Sequence, residues 1–289
     1  MTAVPPDHGK LIGMSLMAGR DDIETASATV RQLGFEGMEV HAVHLGPGLP
    51  GVPVFEVHAA AVGDVVRRSG LIVSTLNVVG DATFDPFGGK DAMAVTIDGL
   101  AAHMRWAAAM GSPRVLIWEG RIEKPEDVAA ACSTLARVIE SAASRSGLAD
   151  PPPVSCELHP FTFALRHRAI PQLAAALRSV GAGICFDFCH FGVALGPGIL
   201  RYLDDDVVAA INHIHYSDTD TKTSELHFPP GEGILDLDAI GARLAGKPIA
   251  ASWDLFGWPG PRHAARNRMG LYTNFLRRHA AAAAGRGQP

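Results

Sequence analysis

Four short segments, each closing an apolar run, carry acidic or imidazole side chains. They are Val154-Ser155-Cys156-Glu157, Ile184-Cys185-Phe186-Asp187 with His190 just beyond, Ile211-Asn212-His213-Ile214-His215, and Ala250-Ala251-Ser252-Trp253-Asp254. The runs read as buried parallel strands, so the polar residues mark where each strand ends. In a parallel α/β barrel those ends gather at one mouth, where side chains distant in sequence converge. Glu157, Asp187, His215 and Asp254 together offer hard carboxylate oxygens and one imidazole, a donor set for Mn, Mg, Co or Zn. The set contains no thiolate, which argues against a structural zinc centre. A carboxylate that merely ends a strand in solvent is the plain alternative for any one position. It is a poor account of four in succession.

The positioning elements follow from the same patterning. Candidate strands fall at Leu11–Leu16, Gly37–Val40, Ile72–Val78, Arg114–Trp118, Val154–Glu157, Gly183–Asp187, His213–Tyr216 and Ile249–Trp253. Helical periodicity falls at Ile23–Leu33, Val62–Ser69, Ala92–Met110, Pro125–Ser144, Ala169–Val180, Leu200–Ala210, Leu237–Leu244 and Ala264–His279. Eight βα units predict a single (β/α)8 TIM barrel, an α/β fold with residues 1–289 as one domain and 280–289 as a frayed tail. A doubly wound sheet would carry a Gly-rich phosphate loop after its first strand. Here Met17-Ala18-Gly19-Arg20 follows instead. Pro125 suits a helix start, Gly34, Gly111 and Gly181 suit helix C-caps, and Pro151-Pro152-Pro153 forces an extended entry into the fifth strand.

Composition narrows the partners. Hydrophobic residues make up 47% of the chain, enough for a large core, and the formal net charge of -5 argues against general affinity for nucleic acid or anionic lipid. Met1 to Lys10 lacks the basic-then-apolar order of a signal peptide, and no apolar stretch reaches the roughly 20 residues of a membrane span. The expectation is a soluble cytoplasmic protein with no membrane contact. Cys132, Cys156, Cys185 and Cys189 lack Cys-x-x-Cys spacing and read as buried reduced thiols.

Further segments carry a resemblance. Leu33-Gly34-Phe35-Glu36-Gly37-Met38-Glu39, Cys156-Glu157-Leu158-His159, Asp187-Phe188-Cys189-His190, His213-Ile214-His215-Tyr216-Ser217-Asp218, Pro230-Gly231-Glu232-Gly233 and Trp253-Asp254-Leu255-Phe256-Gly257-Trp258 occur in this order along nearly the whole chain. In this the chain resembles the xylose-isomerase-like superfamily of TIM barrels. That group includes sugar isomerases and epimerases, inosose dehydratases, 3-dehydroshikimate dehydratases and endonuclease IV. The resemblance implies one divalent ion, Mn before Mg, Co or Zn, on Glu157, Asp187, His215 and Asp254. It makes Glu157 and Asp254 the proton-transfer pair and implies a small sugar or keto-polyol substrate. Relatives are commonly dimers or tetramers, so a homo-oligomer is compatible with it.

The implied chemistry is enolisation. A metal on a carbonyl and a neighbouring hydroxyl stabilises the enediolate formed when an adjacent C–H is lost, and a carboxylate takes the proton. Isomerisation, epimerisation and loss of water share that step, so a lyase or dehydratase, including cleavage of a 3-keto glycoside, is the runner-up. A barrel that binds a sugar or protein without turnover is the third reading. Asp254 stands where the superfamily usually has Glu, so the second acid/base is about 1.5 Å shorter in reach. Phe163 and Thr221 stand where ketohexose 3-epimerases carry Glu and Arg, and the neighbouring Lys222 lacks a planar fork.

Around this set, His190, His159, Trp118, Glu119, Lys222 and His227 are expected to touch substrate, with Trp118, Phe161, Trp253 or Trp258 able to stack on a sugar face. His213 is expected beneath His215, and Glu39 and His41 in the pocket lining or in solvent. The Gly46–Val54 and Asp81–Lys90 loops are candidate lids. The chain also resembles endonuclease IV at Glu157, Asp187, His190, His215 and Glu225-x-His227, which leaves a second metal open at His190, Glu225 and His227. The Asn77 and Glu119 regions replace the histidines that enzyme needs for its first metal. With the acidic balance, this favours a small molecule over nucleic acid.

Overall fold

A computed structural model of the chain describes residues 13, 21–45, 56–81, 83–122, 124–245, 249–261 and 263–264. Seven parallel strands occur among them: β1 (Gly37–His41), β2 (Ile72–Asn77), β3 (Val115–Trp118), β4 (Val154–Glu157), β5 (Gly183–Asp187), β6 (Ile211–Tyr216) and β7 (Ala250–Trp253). Each pairs with the next in sequence order, so the sheet curls into a nearly closed α/β barrel. Gly13 spans the gap. Its N–H donates to Gly37 O at 3.1 Å and its carbonyl accepts from Trp253 N at 3.0 Å, tying β1 to β7. A Cβ there would lie 2.7 Å from Ser74 Oγ and 2.8 Å from Ser252 Oγ, at a φ of +84°, so glycine alone fits. Apart from Gly13, the expected strand Leu11–Leu16 lies outside the described residues, as do the Gly46–Val54 loop, the 280–289 tail and all but the start of Ala264–His279.

The strands form where apolar, β-branched residues run without a polar partner face, and β1, β4 and β5 are buried along their whole length. The helices covering them are α1 (Ile23–Gln32), α2 (Glu56–Arg68), α3 (Lys90–Met110), α4 (Val128–Ser146), α5 (Phe163–Arg166), α6 (Ile170–Ser179), α7 (Phe188–Leu195), α8 (Asp205–Ala210) and α9 (Leu237–Leu244). Helix α4 shows the logic: Ala131, Cys132, Leu135, Val138, Ile139 and Ala142 form its buried stripe at helical spacing. Its C-terminus stops at Gly147, and α3 stops at Gly111, both in the left-handed region.

Several boundaries differ from the sequence expectation, each for a local reason. The stretch Leu200–Ala210 is two elements, a 3-10 segment at Gly196–Tyr202 and then α8. Asp204 caps α8 by accepting from Val207 N at 2.8 Å, which starts a new helix. Pro125–Asp127 is likewise a 3-10 turn leading into α4. Helices α5 and α7 are too short to leave a periodic signal.

Trp253, expected as one of several rings able to stack on a sugar, is instead core. It is fully buried, with ring edges against Phe35 at 6.3 Å and Tyr216 at 6.2 Å. Side chains of this size contribute about 1.5–3 kcal/mol each on burial. All four cysteines are buried free thiols. Among the described residues no helix is long and apolar enough to cross a membrane.

Candidate metal centre

Glu157 and Asp187 end β4 and β5, His215 is the penultimate residue of β6, and Asp254 directly follows β7. One donor atom from each lies within 4.8 Å of the others, and all four residues are buried. His215 Nδ1 is the hub. It lies 2.7 Å from Glu157 Oε1, 3.4 Å from Asp187 Oδ2 and 3.5 Å from Asp254 Oδ2.

Strand pairing explains how the four meet. Glu157 pairs with Cys185, Asp187 with His215, and His215 with Ser252. In register terms the donors therefore climb two residues from β4 to β5, none from β5 to β6, and two more to Asp254. Tilt of the strands against the barrel axis turns that climb into one level at the mouth.

Each carboxylate is split between a fixing contact and the cluster. Asp187 caps α7, where Oδ1 accepts from His190 N at 2.8 Å, while buried Oδ2 faces the cluster without a hydrogen-bond partner. Asp254 Oδ1 accepts from Phe256 N at 3.1 Å, leaving Oδ2 toward His215 and, at 3.2 Å, His227 Nδ1. Buried polar atoms are nearly always paired, so an orphan carboxylate oxygen beside two further carboxylates fits a bound cation. The donor set itself, three carboxylates and one imidazole nitrogen, suits an oxygen-preferring divalent ion.

Charge balance points the same way. Burial opposes ionisation of Glu157, but His215 and His159 outweigh it and hold its carboxyl well below the usual range. Asp187 is depressed too, with His190 and His227 overcoming its burial. Burial disfavours a charge on His215 and on His227. The carboxylates around them, Glu157 and Glu39 for the first and Asp254 and Asp187 for the second, nevertheless hold both imidazoliums well above the ordinary value. The carboxylates of the cluster thus draw positive charge onto His215 and His227.

A cavity of about 200 Å³ opens onto the cluster, lined by Asn77, Val79, Glu157, His159, His190, His215, Glu225, His227, Asp254 and Phe256. His159 Nε2 stands 3.5 Å from Glu157 Oε2 and His190 Nε2 stands 3.8 Å from Glu157 Oε1. The rings of His159, His190 and His227 follow one another at centroid separations of 4.1 and 4.9 Å. Burial pushes His190 down to about 4, so its ring is neutral near pH 7. Asp187, His190 and His227 also have donor atoms within 4.8 Å of one another, whereas Glu225 is exposed at the cavity rim.

Three residues expected at the substrate do not line this cavity. Lys222 is exposed, in a turn where its N–H donates to Asp220 Oδ1 at 2.8 Å. Glu119 is fully buried and accepts a hydrogen bond from Thr162 Oγ1; burial pushes its carboxyl up to about 8. Trp118 is half-buried at the end of β3, its indole N–H without a partner.

Glu39 departs most from its sequence reading. It neither lines the cavity nor meets solvent but sits inside β1 with no exposure, hydrogen-bonded to both histidines of β6 at 3.1 and 3.2 Å. A glutamate inside the apolar run Gly37-Met38-Glu39-Val40 was the available signal, since a buried charge requires partners.

Among solved structures, the chain is similar to L-ribulose 3-epimerase at 17% identity and a TM-score of 0.70, covering 97% of this chain and 100% of that one. It is similar to the probable 3-DHS dehydratase AsbF from Bacillus anthracis at 15% identity and TM-score 0.69, over 92% and 99% of the chains. It is similar to endonuclease IV from Thermus thermophilus at 16% identity and TM-score 0.62, also over 92% and 99%. Identities this low speak for a shared fold. No curated protein gives a significant match. The family description that matches, across residues 28–265, takes in β1 through β7 and every residue of the cluster; the chain belongs to the xylose isomerase-like TIM barrel family.

Proposed function

We propose that this chain is a divalent-metal-dependent isomerase or epimerase acting on a small polyhydroxylated carbonyl compound, a sugar or keto-polyol. The observation that carries the reading is the convergence of Glu157, Asp187, His215 and Asp254 within 4.8 Å beside a cavity that Glu157, His215 and Asp254 help to line. These four would hold the ion, with manganese first and Mg, Co and Zn as alternatives. When bound, the ion stabilises negative charge developing on a substrate oxygen as a neighbouring C–H is lost.

The chain's residues supply the remainder. Glu157 is the base, with Oε1 toward the cluster and Oε2 toward His159. Asp254 is its partner on the neighbouring wall, joined there by His227. Neutral His190, between His159 and His227, donates to or accepts from a substrate hydroxyl. The net charge of -5 favours a small molecule over nucleic acid as the partner.

One observation favours a lyase as the second reading. His159 and His227 each hold a buried ring nitrogen with no hydrogen-bond partner and are held above the ordinary imidazole range by neighbouring carboxylates, so two imidazoliums stand ready to protonate a leaving hydroxyl.

Proton NMR in D2O, with Mg-loaded protein and a panel of ketoses, inososes and 3-keto glycosides, separates the two. Deuterium entering beside a carbonyl with an isomeric product supports the isomerase. Loss of water or an aglycone without an isomer selects the lyase. Metal content unchanged in both Asp187→Ala and His215→Ala would remove the centre on which either depends.

A further inference from the structure

The two nitrogens of His215 face different environments. Nδ1 faces Glu157, Asp187 and Asp254, while Nε2 points away from the cavity to Glu39 Oε2 at 3.2 Å. Glu39 reaches that point from β1, 176 residues away in sequence, and is held there by other donors. Asn77 Nδ2 donates to its Oε1 at 2.7 Å, and Ser252 Oγ donates to its Oε2 at 2.7 Å.

A second histidine completes the arrangement. His213 Nε2 lies 3.1 Å from Glu39 Oε2, and its Nδ1 lies 3.1 Å from Arg114 Nη1. A guanidinium has donors only, so His213 Nδ1 must accept and Nε2 must carry the proton given to Glu39. Arg114 is anchored in turn on Asn212 O at 3.0 Å. The line Arg114–His213–Glu39 leaves Glu39 one role toward His215, that of acceptor.

We propose that Glu39 is a positioning residue which keeps a proton on His215 Nε2, so that a divalent ion displaces the proton on Nδ1 and meets the lone pair left there. This rests on the metal reading above and extends it to a residue that cannot touch the ion itself. A ligating histidine whose far N–H meets a carboxylate is oriented and made more basic by it, and loss of such a partner weakens metal binding about 10- to 100-fold. Glu39 has no other outlet, being buried completely and walled by its four donors.

The test is calorimetric titration of chelator-treated, full-length protein with Mn2+ for the wild type, Glu39→Gln and Asp187→Asn. The wild type should bind one equivalent, Asp187→Asn should bind none, and Glu39→Gln should keep its fold by circular dichroism while binding at least about tenfold more weakly. A folded Glu39→Gln with wild-type affinity overturns the assignment of Glu39 and leaves the centre standing. A wild type without stoichiometric binding overturns both. A second measurement needs no variant: long-range 1H–15N spectra of Zn-loaded, 15N-histidine-labelled wild type should show His215 protonated on Nε2 and metal-shifted on Nδ1. The opposite assignment overturns the proposal.

Discussion

His227 Nδ1 lies 3.2 Å from Asp254 Oδ2, although the two side chains come from loops after different strands. Backbone contacts hold the pair: His227 N donates to Phe256 O at 2.9 Å, and Gly257, at φ +72°, packs so close to Glu225 O that a Cβ would come within 2.2 Å. The imidazole therefore occupies the ground that one more methylene at position 254 would claim.

Replacing Asp254 with Glu, the residue usual in the superfamily, should consequently disturb His227. We expect Mn2+ affinity to fall about tenfold in Asp254→Glu and to recover substantially in Asp254→Glu/His227→Ala, the non-additivity of two groups sharing one space. Affinities that combine additively in a titrated double-mutant cycle would mean that the two positions are independent.

The loop carrying His227 hangs on Asp218. Its Oδ1 accepts from Thr219 N at 2.8 Å and Leu235 N at 3.1 Å, and its Oδ2 accepts from Gly231 N at 3.0 Å. Asp218→Ala strands these amides, at about 1–3 kcal/mol for each buried group left unpaired. Hydrogen exchange should speed up at Gly231 and Leu235 while β4 and β5 stay protected. Unchanged exchange would show the loop to be held by something else.

A cation that binds only the folded chain must stabilise it. At a free ion concentration of 100 times Kd the gain is about 2.7 kcal/mol, and it should appear as a rise in Tm for the wild type. His215→Ala, which removes a nitrogen lying within 3.5 Å of all three carboxylates, should show no such rise. Equal shifts in both proteins would place the ion elsewhere.

Glu119 gives the fold a pH dependence of its own. Burial raises its carboxyl to about 8 in the folded chain, against an ordinary value of 4.5. Between those two values the unfolded chain has lost this proton and the folded chain has kept it, so stability falls as pH rises through the window. The loss is on the order of a few kcal/mol. Denaturant melts from pH 5 to 8 should show a downward slope that flattens in Glu119→Gln, whose amide mimics the protonated acid. A slope that persists in the variant would assign it to other groups.

The strand ends were legible before any fold was known. Val154–Glu157 and Gly183–Asp187 match β4 and β5 to the residue, because a strand buried on both faces leaves an uninterrupted apolar run and a polar residue marks its exit. The residue types at those exits, Glu157, Asp187, His215 and Asp254, came from the same local signal, and so did the chemistry they suggest. Glu39 and His227 were less legible. The first read as a pocket-lining or solvated residue because its partners, His213 and His215, are 174 and 176 residues away and no local pattern records a contact across a barrel. The second stands at the cluster because Asp218 and the Phe256 backbone fold its loop inward. Sequence by itself determined which strands end in donor atoms. Strand tilt, closure of the sheet and loop packing decided which donors share a level, which nitrogen of His215 faces the cavity and what stands behind the other, since those depend on distances that only the closed barrel sets.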